Sequence, residues 1–120
     1  MRRQIMFKDL KIKLGNRWQT FNELHRLILS LNPKMEYRIF PIYISYYLRD
    51  NIIAIIYFRG KFVSGNQLDV GFAFRERPLN SNFISAKYMK YLGINYSIKL
   101  NRKEDITKKV TETIKSIIIK

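Results

Sequence analysis

One histidine, nine carboxylates and no cysteine restrict the chemistry open to this 120-residue chain. His25 sits between Leu24 and Arg26, off the apolar stripe formed by its neighbours, and its spacing reads as a partly exposed helical residue. A catalytic histidine would need an orienting partner and a substrate group within reach. The carboxylates are scattered. Glu104 and Asp105 are adjacent, and a helix start accounts for them, because acids belong in a first turn near the positive end of the macrodipole. Asp69, Glu76 and Lys61 are the loose candidates for a metal-dependent nuclease, but two-metal chemistry needs more acids than these. Asp69, on the outward side of its strand, reads more simply as a surface pair with a neighbouring lysine. Without cysteine there are no disulfides, thiol nucleophiles or thiolate metal ligands. GxxxxGKS/T, GxGxxG and GxSxG are all missing. Gly60 and Gly65 flank Lys61, but the loop they form leads into a strand, and a phosphate loop must lead into a helix. The sequence therefore predicts a non-enzyme, with no catalytic residue, no cofactor and no metal.

Binding chemistry is better represented. Twenty-three Lys and Arg oppose nine Asp and Glu, a net charge of +14, and such a field attracts phosphate backbones and acidic protein surfaces. Basic residues interleave with aromatics in two places: Tyr43, Tyr46, Tyr47, Arg49, Tyr57 and Arg59, then Lys87, Tyr88, Lys90 and Tyr91. Aromatic stacking beside a basic groove holds single strands without reading their sequence. The candidate polyanion-binding residues are Arg59, Lys61, Arg75, Arg77, Lys87 and Lys90, with nucleic acid or an acidic protein as partner. Two plainer readings stand beside this one. AT-rich coding accumulates Lys, Ile and Asn without selection for binding, and tyrosines close small cores with their hydroxyls at the rim.

These residues must be positioned by a small α+β domain. Ile52 to Phe58 is apolar without a break, as in a strand covered on both faces. Leu68, Val70, Phe72 and Phe74 alternate with Asp69, Gly71, Ala73 and Arg75, the period of a half-buried strand. The two form a central hairpin. Ile42 to Leu48 is a further strand, preceded by an edge segment at Tyr37 and Ile39, because Pro41 interrupts the run. Arg49-Asp50-Asn51 is the turn between them. Ile94, Tyr96, Ile98 and Leu100 make another strand, and Ile84 to Leu92 reads as a short helix closed by Gly93. A first helix starts at the capping box Thr20–Glu23 and stops at Asn32-Pro33. A last helix starts at Asn101 and buries Ile106, Val110, Ile114, Ile117 and Ile118. The expected fold is a single antiparallel sheet of four to five strands, packed by an N-terminal and a C-terminal helix. Residues 1–16 are an N-terminal arm or edge strand, and residues 17–120 one domain. No apolar run approaches the ~20 residues that span a bilayer, and no signal-peptide core follows Met1-Arg2-Arg3, so cytoplasm is the expected compartment.

The segments YISYYLRDNIIAIIYFR, NQLDVGFAFRERPLNSNF and INYSIKLNRKEDITKKVTETIKSI together resemble a small bacterial domain of unknown function. That family is often labelled "predicted transport protein" and is also found at the C-terminus of restriction-type proteins. The similarity runs from about Thr20 to Ile118 and rests on the aromatic strand, on Leu68-Asp69-Val70-Gly71 followed by Arg77-Pro78-Leu79, and on Ser97 to Leu100 entering the last helix. It implies one sheet flanked by the first and last helices, and it carries over no catalytic residues. The alternative function to polyanion binding is a protein–protein interaction or assembly module of a larger defence-type system, in which the charge is incidental.

Overall fold

The computed structural model describes residues 7–61 and 63–117. The fold is α+β, with one antiparallel sheet of six strands in the order β1-β2-β3-β4-β6-β5. The strands are β1 (Glu36–Ile39), β2 (Tyr43–Leu48), β3 (Asn51–Tyr57), β4 (Leu68–Phe72), β5 (Ile84–Ser85) and β6 (Tyr96–Leu100). The helices are α1 (Phe7–Leu14), α2 (Trp18–Ser30) and α3 (Lys108–Lys115). The sixth strand is β5, two residues long, in the stretch expected to be helical; a single 3-10 turn, Lys87–Met89, is all the helix found there.

The alternation in β4 and β6 sends Leu68, Val70, Phe72, Ile98 and Leu100 to one face, where they join Phe74, Val110, Ile114 and Ile117 in the main core. Ile106 packs against that core from its edge. Residues 101–107 differ from the expected helix start. Asp105 accepts from the Asn101 and Arg102 amides at 2.8 and 3.2 Å and so organises a 3-10 turn, Lys103–Asp105. α3 begins only afterwards, capped by Thr107, whose hydroxyl accepts from Val110 N at 3.2 Å. Ile118 lies outside the described residues.

At the N-terminus, the described part of the expected arm or edge strand is a helix. Leu10, Ile12 and Leu14 alternate like a strand, but Phe7, Leu10 and Leu14 also recur at helical spacing. The helix buries Leu10 and Leu14 and leaves Ile12 exposed. α1 runs into α2 through the 3-10 turn Gly15–Arg17, so α2 starts at Trp18 with no side-chain cap, and Thr20 is buried instead of capping. Residues 1–6 lie outside the described residues.

His25 is buried, not partly exposed. Phe21, Leu24, His25 and Ile28 form an i, i+3, i+4, i+7 set, so the imidazole faces the sheet. It is enclosed by the rings of Phe7, Phe21, Tyr37 and Tyr46, with Nδ1 2.6 Å from the Tyr46 hydroxyl. Burial lowers its pKa to about 4. The neutral imidazole and the Tyr46 hydroxyl, whose own ionisation burial suppresses, share this hydrogen bond.

The β2–β3 connection is the two-residue turn Arg49-Asp50, with φ +53° and +67°. Positive φ at both central positions is the pattern of a type I′ turn, which suits Asn-Gly far better than Arg-Asp. A left-handed conformation costs an L-residue roughly 1–2 kcal/mol. Just beyond the turn, the pairing shifts between Tyr46 and Tyr47. This bulge turns Ile53 towards the main core, while Ile52 packs in the second cluster on the opposite face.

Candidate polyanion-binding surface

The sheet face opposite the helices was expected to meet solvent along β4. It is instead covered by a flap, residues 86–94, that leaves β5 and returns to β6. Ala86, Met89 and Ile94 pack on Ile55 and Tyr57. The flap comes closest at Gly71, where a Cβ would lie 2.5 Å from Ile94 Cγ2 and 2.9 Å from Met89 Sδ. β4 is therefore buried on both faces along its whole length, and glycine is what admits the flap.

The register lines up Tyr43, Tyr57, Asp69 and Lys99 in one row across β2, β3, β4 and β6. Asp69 is 0% exposed. Tyr88 Oη, reaching down from the flap, lies 2.9 and 2.8 Å from its two carboxylate oxygens, and Lys99 Nζ donates at 3.1 Å. The Ser97 hydroxyl, 2.8 Å from Tyr88 Oη, donates to it in turn. The Lys99 ammonium also lies 4.9 Å from the centre of the Tyr88 ring. Burial raises the Tyr88 pKa, and the Asp69 carboxylate raises it further, so the phenol keeps its proton. Burial alone would lower the Lys99 pKa; the hydrogen bond and charge of Asp69 outweigh it and hold it above its ordinary value. The cluster is an anchor for the flap, with its donors and acceptors matched to one another. Lys99→Met would leave the Asp69 carboxylate buried without its cation. Removing one partner of a buried pair costs ~3–5 kcal/mol. Lys99 is 40% exposed in its side chain, so ~2 kcal/mol is expected in denaturant unfolding after screening. Asp69→Asn, which keeps the acceptor for Tyr88 and frees Lys99 to water, should cost less.

The other half of this face is aromatic and half-exposed. Tyr91 Oη lies 3.3 Å from Tyr47 Oη, and the Tyr91 ring meets Tyr43 edge-on at 6.1 Å. The Arg38 guanidinium lies over the Tyr47 ring at 4.9 Å. Burial, then the Tyr47 hydrogen bond, suppresses Tyr91 ionisation. Ser45, between Tyr43 and Tyr47 on β2, is fully buried, and its hydroxyl has no partner among the described residues. Lys87 and Lys90 stand exposed on the flap beside Tyr88 and Tyr91, and Lys90 has φ +51°.

The six basic residues singled out in the sequence do not share one surface. Arg59 and Lys61 lie in the β3–β4 connection, beyond the Tyr57–Asp69 pair. That connection is closed by Arg17, whose guanidinium donates to the Phe58 and Gln67 carbonyls at 2.6 and 3.1 Å. Arg75 and Arg77 follow β4 at the opposite end of the sheet, roughly 25 Å away at the ordinary rise per strand residue. Lys87 and Lys90 ride on the flap. Arg38 was not among the candidates; its stacking on Tyr47 depends on the β1–β2 register, which a single sequence does not supply. Of the interleaved tyrosines, Tyr46 and Tyr57 are core residues, whereas Tyr43, Tyr47, Tyr88 and Tyr91 are half-buried around the flap.

The nuclease candidates are also apart. Asp69 lies under the flap with Lys99, Lys61 is in the connection near Asp69's end of β4, and Glu76 is beyond the other end. Among the described residues no group of three or more His, Cys, Asp or Glu could hold a metal ion, and no helix is long and apolar enough to cross a membrane. In comparisons with known proteins, no family model, curated protein or solved structure matches this chain.

Proposed function

We propose that this domain is a non-catalytic module that binds polyanions, single-stranded nucleic acid first among them, on the flap side of its sheet. The carrying observation is the juxtaposition of half-exposed Tyr43, Tyr47 and Tyr91 with Arg38, Lys87 and Lys90. Rings of this kind offer stacking surfaces to bases of any identity, and cations beside them neutralise the phosphates that follow. Glu36, paired with Tyr47 across β1 and β2, places an acid at the border of the surface. Binding to an unstructured oligonucleotide tests the reading. Tyr91→Leu keeps the apolar packing of the flap but removes a stacking ring, and should weaken binding about ten-fold, within the ~1–3 kcal/mol that one stacked base contributes. Unchanged affinity in Tyr91→Leu would remove the aromatic half of the proposal. A second reading, an assembly module of a larger system with incidental charge, is favoured by Leu92, which is 95% exposed on the flap. It predicts that Leu92→Ser, and not the cation variants, changes association with a protein partner.

A further inference from the structure

The turn end of the sheet holds a second cationic feature, separate from the flap. Leu48, Ile53 and Ile117 line a cavity of about 340 Å³ whose polar wall is Arg49, Asn51 and Arg75. The two arginines come from different elements, the β2–β3 turn and the segment after β4. Neither makes an ion pair with another described residue. Three local irregularities converge here. Arg49 occupies a left-handed position at φ +53° that favours asparagine or glycine. Asp50 beside it has φ +67°. The β2–β3 bulge turns Ile53 into the cavity wall. The turn thus brings to the cavity wall a guanidinium, the group best suited to fork onto a phosphate.

We infer that Arg49 and Arg75 form a phosphomonoester site, with the apolar floor beneath them taking the sugar or base attached to the phosphate. Asp50 and Glu76 are the acids nearest in sequence, both exposed, and Glu36 lines a neighbouring hollow together with Arg49. A doubly charged monoester, with three oxygens for two guanidinium forks, suits this site better than a singly charged internal diester. The phosphate is carried either by the end of a strand held on the flap face or by a free mononucleotide. The strand-end form rests on the proposed nucleic-acid function; the mononucleotide form does not.

The test compares a short single strand bearing a 5′ phosphate with the same strand bearing a 5′ hydroxyl, and adds AMP and inorganic phosphate, all at one ionic strength. The 5′ phosphate should tighten binding roughly ten-fold, as charge-assisted hydrogen bonds do. Arg49→Asn and Arg75→Gln should each abolish that increment and leave binding of the 5′-hydroxyl strand unchanged. Arg49→Asn also places a preferred residue in the turn, so its unfolding midpoint should hold or rise, which separates lost binding from lost structure. If both strands bind equally, or the increment survives in both variants, the strand-end site is overturned while the flap surface stands. If neither strand binds, the flap reading fails, and saturable AMP binding that Arg49→Asn removes identifies the cavity as a mononucleotide site. Absence of both the increment and AMP binding overturns the inference.

Discussion

Phe72→Ala should lower the unfolding free energy by ~3–5 kcal/mol, the cost of emptying a fully buried phenylalanine position. Phe72 is 0% exposed, in the central strand β4, with the Phe74 and Phe83 rings at 5.9 and 6.1 Å. It joins the sheet to the Val110, Ile114 and Ile117 stripe through one shared core. Its two flanking rings are themselves fixed by Tyr96 and by each other, so little of the void can close by relaxation. Chemical denaturation with an unchanged slope and a lowered midpoint is the expected result. A midpoint that barely moves would mean that Phe72 is not part of the core that joins the sheet to α3.

Acid should remove about as much stability through one residue. The His25 pKa is lowered to about 4 in the folded protein, against about 6.5 in an unfolded chain. Between those values the unfolded state binds a proton that the folded state does not, so stability falls as pH falls. The contribution is fully present above pH ~6.5 and is lost progressively on the way down, the loss reaching ~3 kcal/mol once the pH is below the folded value. His25→Gln keeps a hydrogen-bond partner for the Tyr46 hydroxyl and cannot charge. Unfolding free energies measured from pH 7 to pH 4 should diverge, wild type losing more than the variant, while contributions from carboxylates cancel in the difference. Parallel curves would assign the acid sensitivity to another group.

Much of the sheet is legible in the sequence because its signals are local. The unbroken run of β3, the alternation in β4 and β6, Pro41 after the edge strand and the Arg49-Asp50 turn each correspond to an observed element. The helix boundaries are less legible, for reasons of connection. Thr20 has the form of a cap, but α1 enters α2 without leaving a free end to cap. Asp105 spends its carboxylate on the turn before α3. What a period-2 reading cannot supply is the second layer. Asp69, Gly71, Ser97 and Lys99 have the composition of a solvent face, and they are covered because Tyr88, Met89 and Ile94 fold back from a later part of the chain. The same limit applies to the binding surface. Lys87 and Lys90 stand out through their interleaving with Tyr88 and Tyr91. Arg38 becomes visible only when β1 is paired with β2, and the separation of Arg59 and Lys61 from Arg75 and Arg77 follows from the hairpin having two ends.

The proposed function meets its most direct test in the salt dependence of binding to an unstructured single strand. On a log–log plot the wild type should give a straight line, with a slope of roughly −0.7 per phosphate contact. The variant Arg38→Gln/Lys87→Gln/Lys90→Gln should weaken binding about equally across sequences and flatten that slope by about two units, three contacts at ~0.7 each. Arg59→Gln/Lys61→Gln, at the end of the sheet remote from Arg75, should leave the slope unchanged. Contradiction would take one of two forms: no binding by the wild type at low salt, or a slope that responds to Arg59 and Lys61 and not to Arg38, Lys87 and Lys90.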